Sequence, residues 1–285
     1  MSTSLHLDHS RRWHENRFVY PVLSRRSRGI SIGVNLNPDK VCNFDCIYCQ
    51  VDRRSESVTR FVETEELFAE LEQMLALVMS GALYDDPKFS DVPAELRRLN
   101  DIAFSGDGEP TTYRNFDEIV ERCAELKTAA GAHDTKLVLI TNASMFHREE
   151  TRRALAVFDA NNGEIWAKLD AGTAAYFQLI DRTKIPFSRI LDNIRDAAVA
   201  RPLVIQSLFM QVDCVGPSDD ELLAYAERLN EIVTAGGRIR LVQIYTVARR
   251  PAEEYVTALS DADVDRIVAD VQTRTGLDVT GYYGR

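Results

Sequence analysis

The chain has 285 residues, 45% hydrophobic and 27% charged, which supplies a sizeable core and excludes a disordered tail. Its 34 Lys+Arg against 44 Asp+Glu give a net charge of −10, which weighs against non-specific attachment to polyanions such as DNA or anionic lipid. No apolar run approaches the ~20 residues that cross a bilayer, and Met1-Ser2-Thr3-Ser4-Leu5-His6-Leu7-Asp8 has no signal-peptide core, so a cytoplasmic, non-membrane protein is expected.

In chain order, β-rich runs bounded by turn residues are expected at 30–36, 101–105, 136–141, 164–170, 203–210 and 239–245. Amphipathic helices are expected at 63–80, 115–130, 148–159, 188–200, 219–235 and 261–273. Leu67, Leu71, Met74, Leu75 and Val78 form one apolar stripe, and Ser218 before Asp219-Asp220-Glu221 reads as a helix cap. Residues 81–94 read as an excursion between regular elements, marked by Asp85-Asp86-Pro87 and Val92-Pro93. Strand-then-helix units in succession predict an α/β fold, a partial (β/α)6 TIM-like barrel of parallel strands covered by helices. One domain over 1–285 is expected, with an N-terminal extension over 1–28, the partial barrel over about 29–250, and a C-terminal helix and tail over about 251–285. The first 60 residues hold ten Lys/Arg against six Asp/Glu, with Arg25-Arg26-Ser27-Arg28 and Arg53-Arg54 prominent, either as a solvated surface or as an anion contact.

In such a sheet the chemistry belongs at the C-terminal ends of the strands. Several polar or glycine-rich segments fall there. The first is Cys42-Asn43-Phe44-Asp45-Cys46-Ile47-Tyr48-Cys49, spaced C-x3-C-x2-C. Three soft thiolates on one loop suit an iron–sulfur cluster or a zinc ion. For zinc the fourth ligand has to come from elsewhere, His14 being a candidate, and a fortuitous group of reduced cysteines is the remaining alternative. Gly106-Asp107-Gly108-Glu109-Pro110 follows the second strand, and Asn142-Ala143-Ser144 follows the third. Lys168 and Asp170 share a face of the fourth strand, either as a ribose or substrate site or as a pair of their own. Gln206, Gln211, Gln243 and Tyr245 are further polar residues in or beside strands that otherwise read as buried. Cys214, just past the fifth strand, is either a hydrogen donor or substrate contact or an inert thiol, whereas Cys123 reads as helix packing.

The cysteine loop, with Tyr48 in its aromatic slot, resembles the C-x3-C-x-aromatic-C signature of the radical S-adenosylmethionine (SAM) superfamily. Ser105-Gly106-Asp107-Gly108-Glu109-Pro110-Thr111 resembles that superfamily's Gly-Gly-Glu-Pro element, here with Asp107 between the glycines. The stretches from Gly33-Val34-Asn35-Leu36 through Cys49-Gln50, Ser105 to Thr111, and Thr141-Asn142-Ala143-Ser144 look like the subgroup related to the wyosine-forming tRNA enzymes.

The resemblance implies that Cys42, Cys46 and Cys49 ligate a [4Fe-4S] cluster whose fourth iron chelates SAM. Reductive cleavage would then release methionine and a 5′-deoxyadenosyl radical acting on an unidentified substrate. It also implies SAM contacts from Gly106, Asp107, Gly108 and Glu109, with Tyr48, Asn142, Lys168, Asp170 and Gln206 as further cofactor-binding candidates. A low-potential flavodoxin or ferredoxin is the implied electron donor, and the substrate is a small molecule or tRNA. The alternatives are a wyosine-like tRNA-modifying enzyme and a non-catalytic iron–sulfur or zinc protein. The chain lacks cysteines upstream of Cys42, where archaeal wyosine-forming relatives hold a second cluster.

Overall fold

A computed structural model describes residues 13–24, 28–53, 55–57 and 59–284. Arg25, Arg26, Ser27, Arg54 and the first eight residues, which entered the charge and leader readings, lie outside the described residues. The chain divides into two compact units: one of residues 1–42, 56–140 and 148–164, the other of 43–55, 141–147 and 165–285.

The first unit is built on β1 (Val19–Ser24), β2 (Gly29–Val34), β3 (Leu99–Phe104) and β4 (Lys136–Thr141). β1 pairs antiparallel with β2, and β2, β3 and β4 run parallel. The helices α1 (Thr64–Met79), α2 (Phe116–Ala129) and α3 (Glu149–Ala160) supply the crossovers that parallel strands require. Each helix buries one stripe. On α1 it is Leu67, Leu71, Met74, Leu75 and Val78, as the spacing predicts. Phe104 meets Phe116 and Phe158 edge-on at 5.9 and 5.6 Å, an aromatic knot tying β3 to α2 and α3.

β1 lies inside what the sequence reading set aside as an extension. Buried Glu70 of α1 accepts from the amides of Arg17, Phe18 and Val19 at 2.8–2.9 Å and so holds the chain entering β1. Tyr20 lies across its pairing partner Gly33, where a Cβ would strike the phenol ring, so this glycine makes room for an aromatic neighbour. The excursion at 81–94 is two short 3-10 turns and their linkers.

The second unit contains β5 (Gly163–Lys168), β6 (Leu203–Leu208), β7 (Met210–Val212), β8 (Ile239–Tyr245), β9 (Val256–Ala258) and β10 (Val279–Tyr282). β5, β6, β8 and β10 pair parallel in that order, and β7 pairs antiparallel with β9. α4 (Ala174–Asp181), α5 (Phe187–Ala200), α6 (Asp219–Thr234) and α7 (Asp261–Thr275) accompany them. Ser218 caps α6 as predicted, its hydroxyl accepting from the Glu221 amide. Glu221 then reaches back to the Gly172 amide and the Thr173 hydroxyl at the start of α4. The α/β class, parallel strands covered by helices, is the one expected. All six predicted strands and all six predicted helices are present, while β1, β7, β9, β10 and α4 were not foreseen.

Candidate functional site

The cysteine loop follows β2. Cys42, Cys46 and Cys49 are thiols outside any disulfide and partly exposed, whereas Cys123 is buried among α2 packing and Cys214 is exposed. Burial pushes the Cys123 thiol far up, which makes it inert packing as predicted. Phe44 and Ile47 anchor the loop: both are buried, and Phe44 meets Phe177 of α4 edge-on at 5.8 Å. Among the described residues no three His, Cys, Asp or Glu side chains form a preassembled metal site. His14, the candidate fourth zinc ligand, instead bonds Asp86 at 3.1 Å.

A buried polar knot lies beneath Cys46. The Tyr48 hydroxyl donates to Asp170 and is 2.9 Å from Asp181, and Lys168 donates to it at 2.8 Å. Lys168 also pairs with Asp170 at 3.2 Å and stands 4.5 Å from the Tyr48 ring centre. The Cys46 thiol donates to Asp181 at 3.1 Å, while the other Asp170 oxygen accepts from the Leu208 amide at 2.7 Å. Lys168 and Asp170 thus pair with each other, with Tyr48 as the hub of the knot.

Burial and these neighbours shape the ionisation of the knot. Burial, then Asp170 nearby, raises the Asp181 carboxyl above the usual range. Burial, then Asp181, raises the Cys46 thiol; burial, then Asp170, raises the Tyr48 phenol. For Lys168 burial acts to lower the pKa, but Asp170 leads several neighbours that raise it further, so the ammonium is favoured.

The glycine loop owes its composition to packing. A Cβ on Gly106 would collide with Asn35 Oδ1, and one on Gly108 would collide with the Val41 carbonyl. Asn35 donates to Asp107 at 2.7 Å and accepts from its amide at 3.1 Å, so Asp107 is turned toward the segment leaving β2. Glu109, 3% exposed, accepts from the Thr111 amide and hydroxyl at 3.2 and 2.5 Å, closing a local cap.

Asn142 donates to Asn43 Oδ1 at 2.8 Å and accepts from the Ser144 amide at 3.0 Å; Asn43 donates to the Ser144 hydroxyl at 2.7 Å. This ties the cysteine loop to the turn after β4, where Ala143 takes a left-handed φ of 60°. Gln206 donates to its parallel-register neighbour Gln243 at 3.0 Å, both nearly fully buried. Asp213 and Cys214 occupy the two positive-φ positions of a tight turn between Val212 and Val215. Sequence reasoning missed Asp181, Arg182 and Glu253, which hold the cysteine loop. They stand far from it along the chain and form no motif of their own.

Residues 36–213 match the family model described as the Radical SAM superfamily. The chain is 26% identical over 256 residues to a UPF0026 protein of Methanocaldococcus jannaschii, covering 87% of this chain and 69% of that one. It is 25% identical to a UPF0026 protein of Helicobacter pylori strain J99, covering 75% and 62%. It is also 25% identical to a protein named GTPase Obg from Brachyspira hyodysenteriae, covering 92% of this chain but 34% of that one. The chain therefore spans about a third to two thirds of the length of these curated relatives. In fold it is similar to the structure of TYW1 with a lysine-pyruvate adduct bound, at TM-score 0.52 and 16% identity, covering 95% of this chain and 80% of that one.

Proposed function

The chain belongs to the radical SAM superfamily, and from that premise we propose that Cys42, Cys46 and Cys49 hold a [4Fe-4S] cluster at which SAM is reductively cleaved. Superfamily members bind such a cluster together with SAM. The donor set here fits that group: three partly exposed thiols, none in a disulfide, in C-x3-C-x2-C spacing within the matched region. That observation carries the reading. What the cluster and SAM supply when bound is one-electron carbon–sulfur cleavage, giving methionine and a 5′-deoxyadenosyl radical for hydrogen abstraction from an unidentified substrate.

The protein's own residues divide the remaining work. Gly106, Asp107, Gly108 and Glu109 are proposed as SAM contacts on the strength of the glycine motif they form; a Cβ at 106 or 108 would strike the Asn35 side chain or the Val41 carbonyl. Tyr48, Asn142, Lys168, Asp170 and Gln206 are proposed as further cofactor-binding residues, each also bonded within the protein. The site is proposed to operate within a single radical-SAM-type domain, in a reducing cytoplasm, with a flavodoxin or ferredoxin as electron donor. The test is anaerobic reconstitution with iron and sulfide, then an assay for 5′-deoxyadenosine under strong reductant. Production of 5′-deoxyadenosine supports the reading; a chain that takes up zinc and makes none overturns it.

The similarity in fold to TYW1 favours one second reading, in which the substrate is a tRNA base as in the wyosine-forming enzymes. The acidic chain has to supply a local basic footprint for that. A mobility shift of total tRNA at physiological salt supports it, and absence of a shift removes it.

A further inference from the structure

Short loops bury backbone polar groups only if something pairs them. Within the cysteine loop the Cys49 amide bonds the Cys46 carbonyl, but many of the loop's other backbone groups are satisfied from outside. The Asp45 amide donates to the Asp181 carbonyl at 3.1 Å and the Ile47 amide to the Ile180 carbonyl at 2.9 Å. The Asn43 carbonyl accepts from Thr183 Oγ1 at 3.0 Å, and the Phe44 carbonyl from Arg53 at 3.2 Å. Residues 180–183, which close α4, therefore run alongside residues 43–47 as a template.

Arg182 is the pivot of that template. Its backbone is left-handed, φ 42°, at the end of α4, a conformation that a non-glycine residue keeps only when its surroundings impose it. Its guanidinium donates to the Asp45 carbonyl at 2.7 Å, pairs with the Asp45 carboxylate at 3.1 Å, and pairs with Glu253 at 2.6 Å. Glu253 in turn donates its own amide to the Ile47 carbonyl at 3.2 Å. One planar fork thus connects the residues immediately before and after Cys46 through Glu253.

We propose that Arg182 is a positioning residue for the cysteine loop: locked to Glu253, it holds the backbone on both sides of Cys46 in the conformation that receives the iron–sulfur cluster. The proposal rests on the assignment of Cys46 as a cluster ligand. Arg182 acts through Asp45, and through Glu253 on Ile47.

The experiment compares wild type with Arg182→Gly, Arg182→Lys and Glu253→Gln. Glycine accepts the left-handed backbone without strain, so Arg182→Gly isolates the loss of the guanidinium. In the metal-free chain, hydrogen exchange at the Asp45 and Ile47 amides is expected to quicken about tenfold in Arg182→Gly. After anaerobic reconstitution, iron retention against a chelator is expected to weaken about tenfold in Arg182→Gly, as for other residues that orient metal ligands. Arg182→Lys is expected to recover part of the retention, because lysine keeps one charge but loses the fork. The paramagnetic resonance line of the reduced cluster is expected to broaden in Arg182→Gly, a change that lost stability alone does not cause.

Unchanged exchange, retention and line shape in Arg182→Gly overturn the proposal. If Arg182→Gly fails to fold, Glu253→Gln, which breaks the pair but keeps the Ile47 bond, decides by the same criteria. Wild type that takes up no iron overturns the cluster reading and the loading role with it. In that case faster exchange in Arg182→Gly still shows the clamp, so the two failures are distinguishable.

Discussion

The cysteine loop and the glycine loop sit at comparable places, each following a parallel strand, yet they are held in opposite ways. Residues 106–111 close partly on themselves, with Glu109 capping Thr111 two residues on, and otherwise lean on one segment, residues 35–41 leaving β2: Asp107 bonds Asn35, and Gly108 abuts the Val41 carbonyl. The cysteine loop leans on residues 99 or more positions away, namely Asn142, Ser144, Asp181, Arg182, Thr183 and Glu253. A loop capped within itself and against the segment leaving the adjacent strand needs little beyond that one strand pair. A templated loop needs its partners folded first. The difference teaches that a cysteine motif legible in eight residues takes its shape from elsewhere.

Breaking either loop is expected to produce different failures. The largest effect is in the cysteine loop, where Cys42→Ala, Cys46→Ala or Cys49→Ala abolishes 5′-deoxyadenosine formation while circular dichroism shows the chain still folded; activity retained in any of the three removes that residue from the ligand set. Next comes Gly108→Ala, whose new methyl meets the Val41 carbonyl and is expected to cost about 3 kcal/mol by urea denaturation, since a backbone oxygen yields poorly. A change below the error of the melt would show that the segment gives way freely.

Tyr48→Phe sharpens the comparison from the other side. It keeps the ring but removes the oxygen shared by Lys168, Asp170 and Asp181, with an expected cost of about 2 kcal/mol and reduced iron retention. Stability lost with iron retention intact would separate the knot from the loop. Glu109→Ala loses a local cap and is expected to cost about 1 kcal/mol. The smallest expected effect is His14→Ala: its partner is Asp86 and its side chain is 66% exposed, so iron content and melting temperature stay at wild-type values. A loss of bound metal in that variant would revive a fourth protein ligand.

What the sequence by itself determined is periodic or local. Apolar spacing placed the stripe on α1 and the buried runs of β4 and β8, and the serine ahead of Asp219 marked the start of α6. C-x3-C-x2-C announced the metal chemistry because its residue types and spacing are the signal. Cys123 read as packing for the same reason: it lies on the buried face of a helix. Tertiary structure alone decided the rest. β1 stands as a strand because a distant Glu70 gathers its leading amides, and α4 starts where Glu221, from a helix much later in the chain, receives the Gly172 amide. Lys168 and Asp170 were visible as awkward charges on one strand face, but their answer, a shared phenol from the cysteine loop, required folding. Neighbours along the chain announce themselves through spacing, whereas partners in space are chosen by which backbone and charged groups would otherwise be buried unpaired.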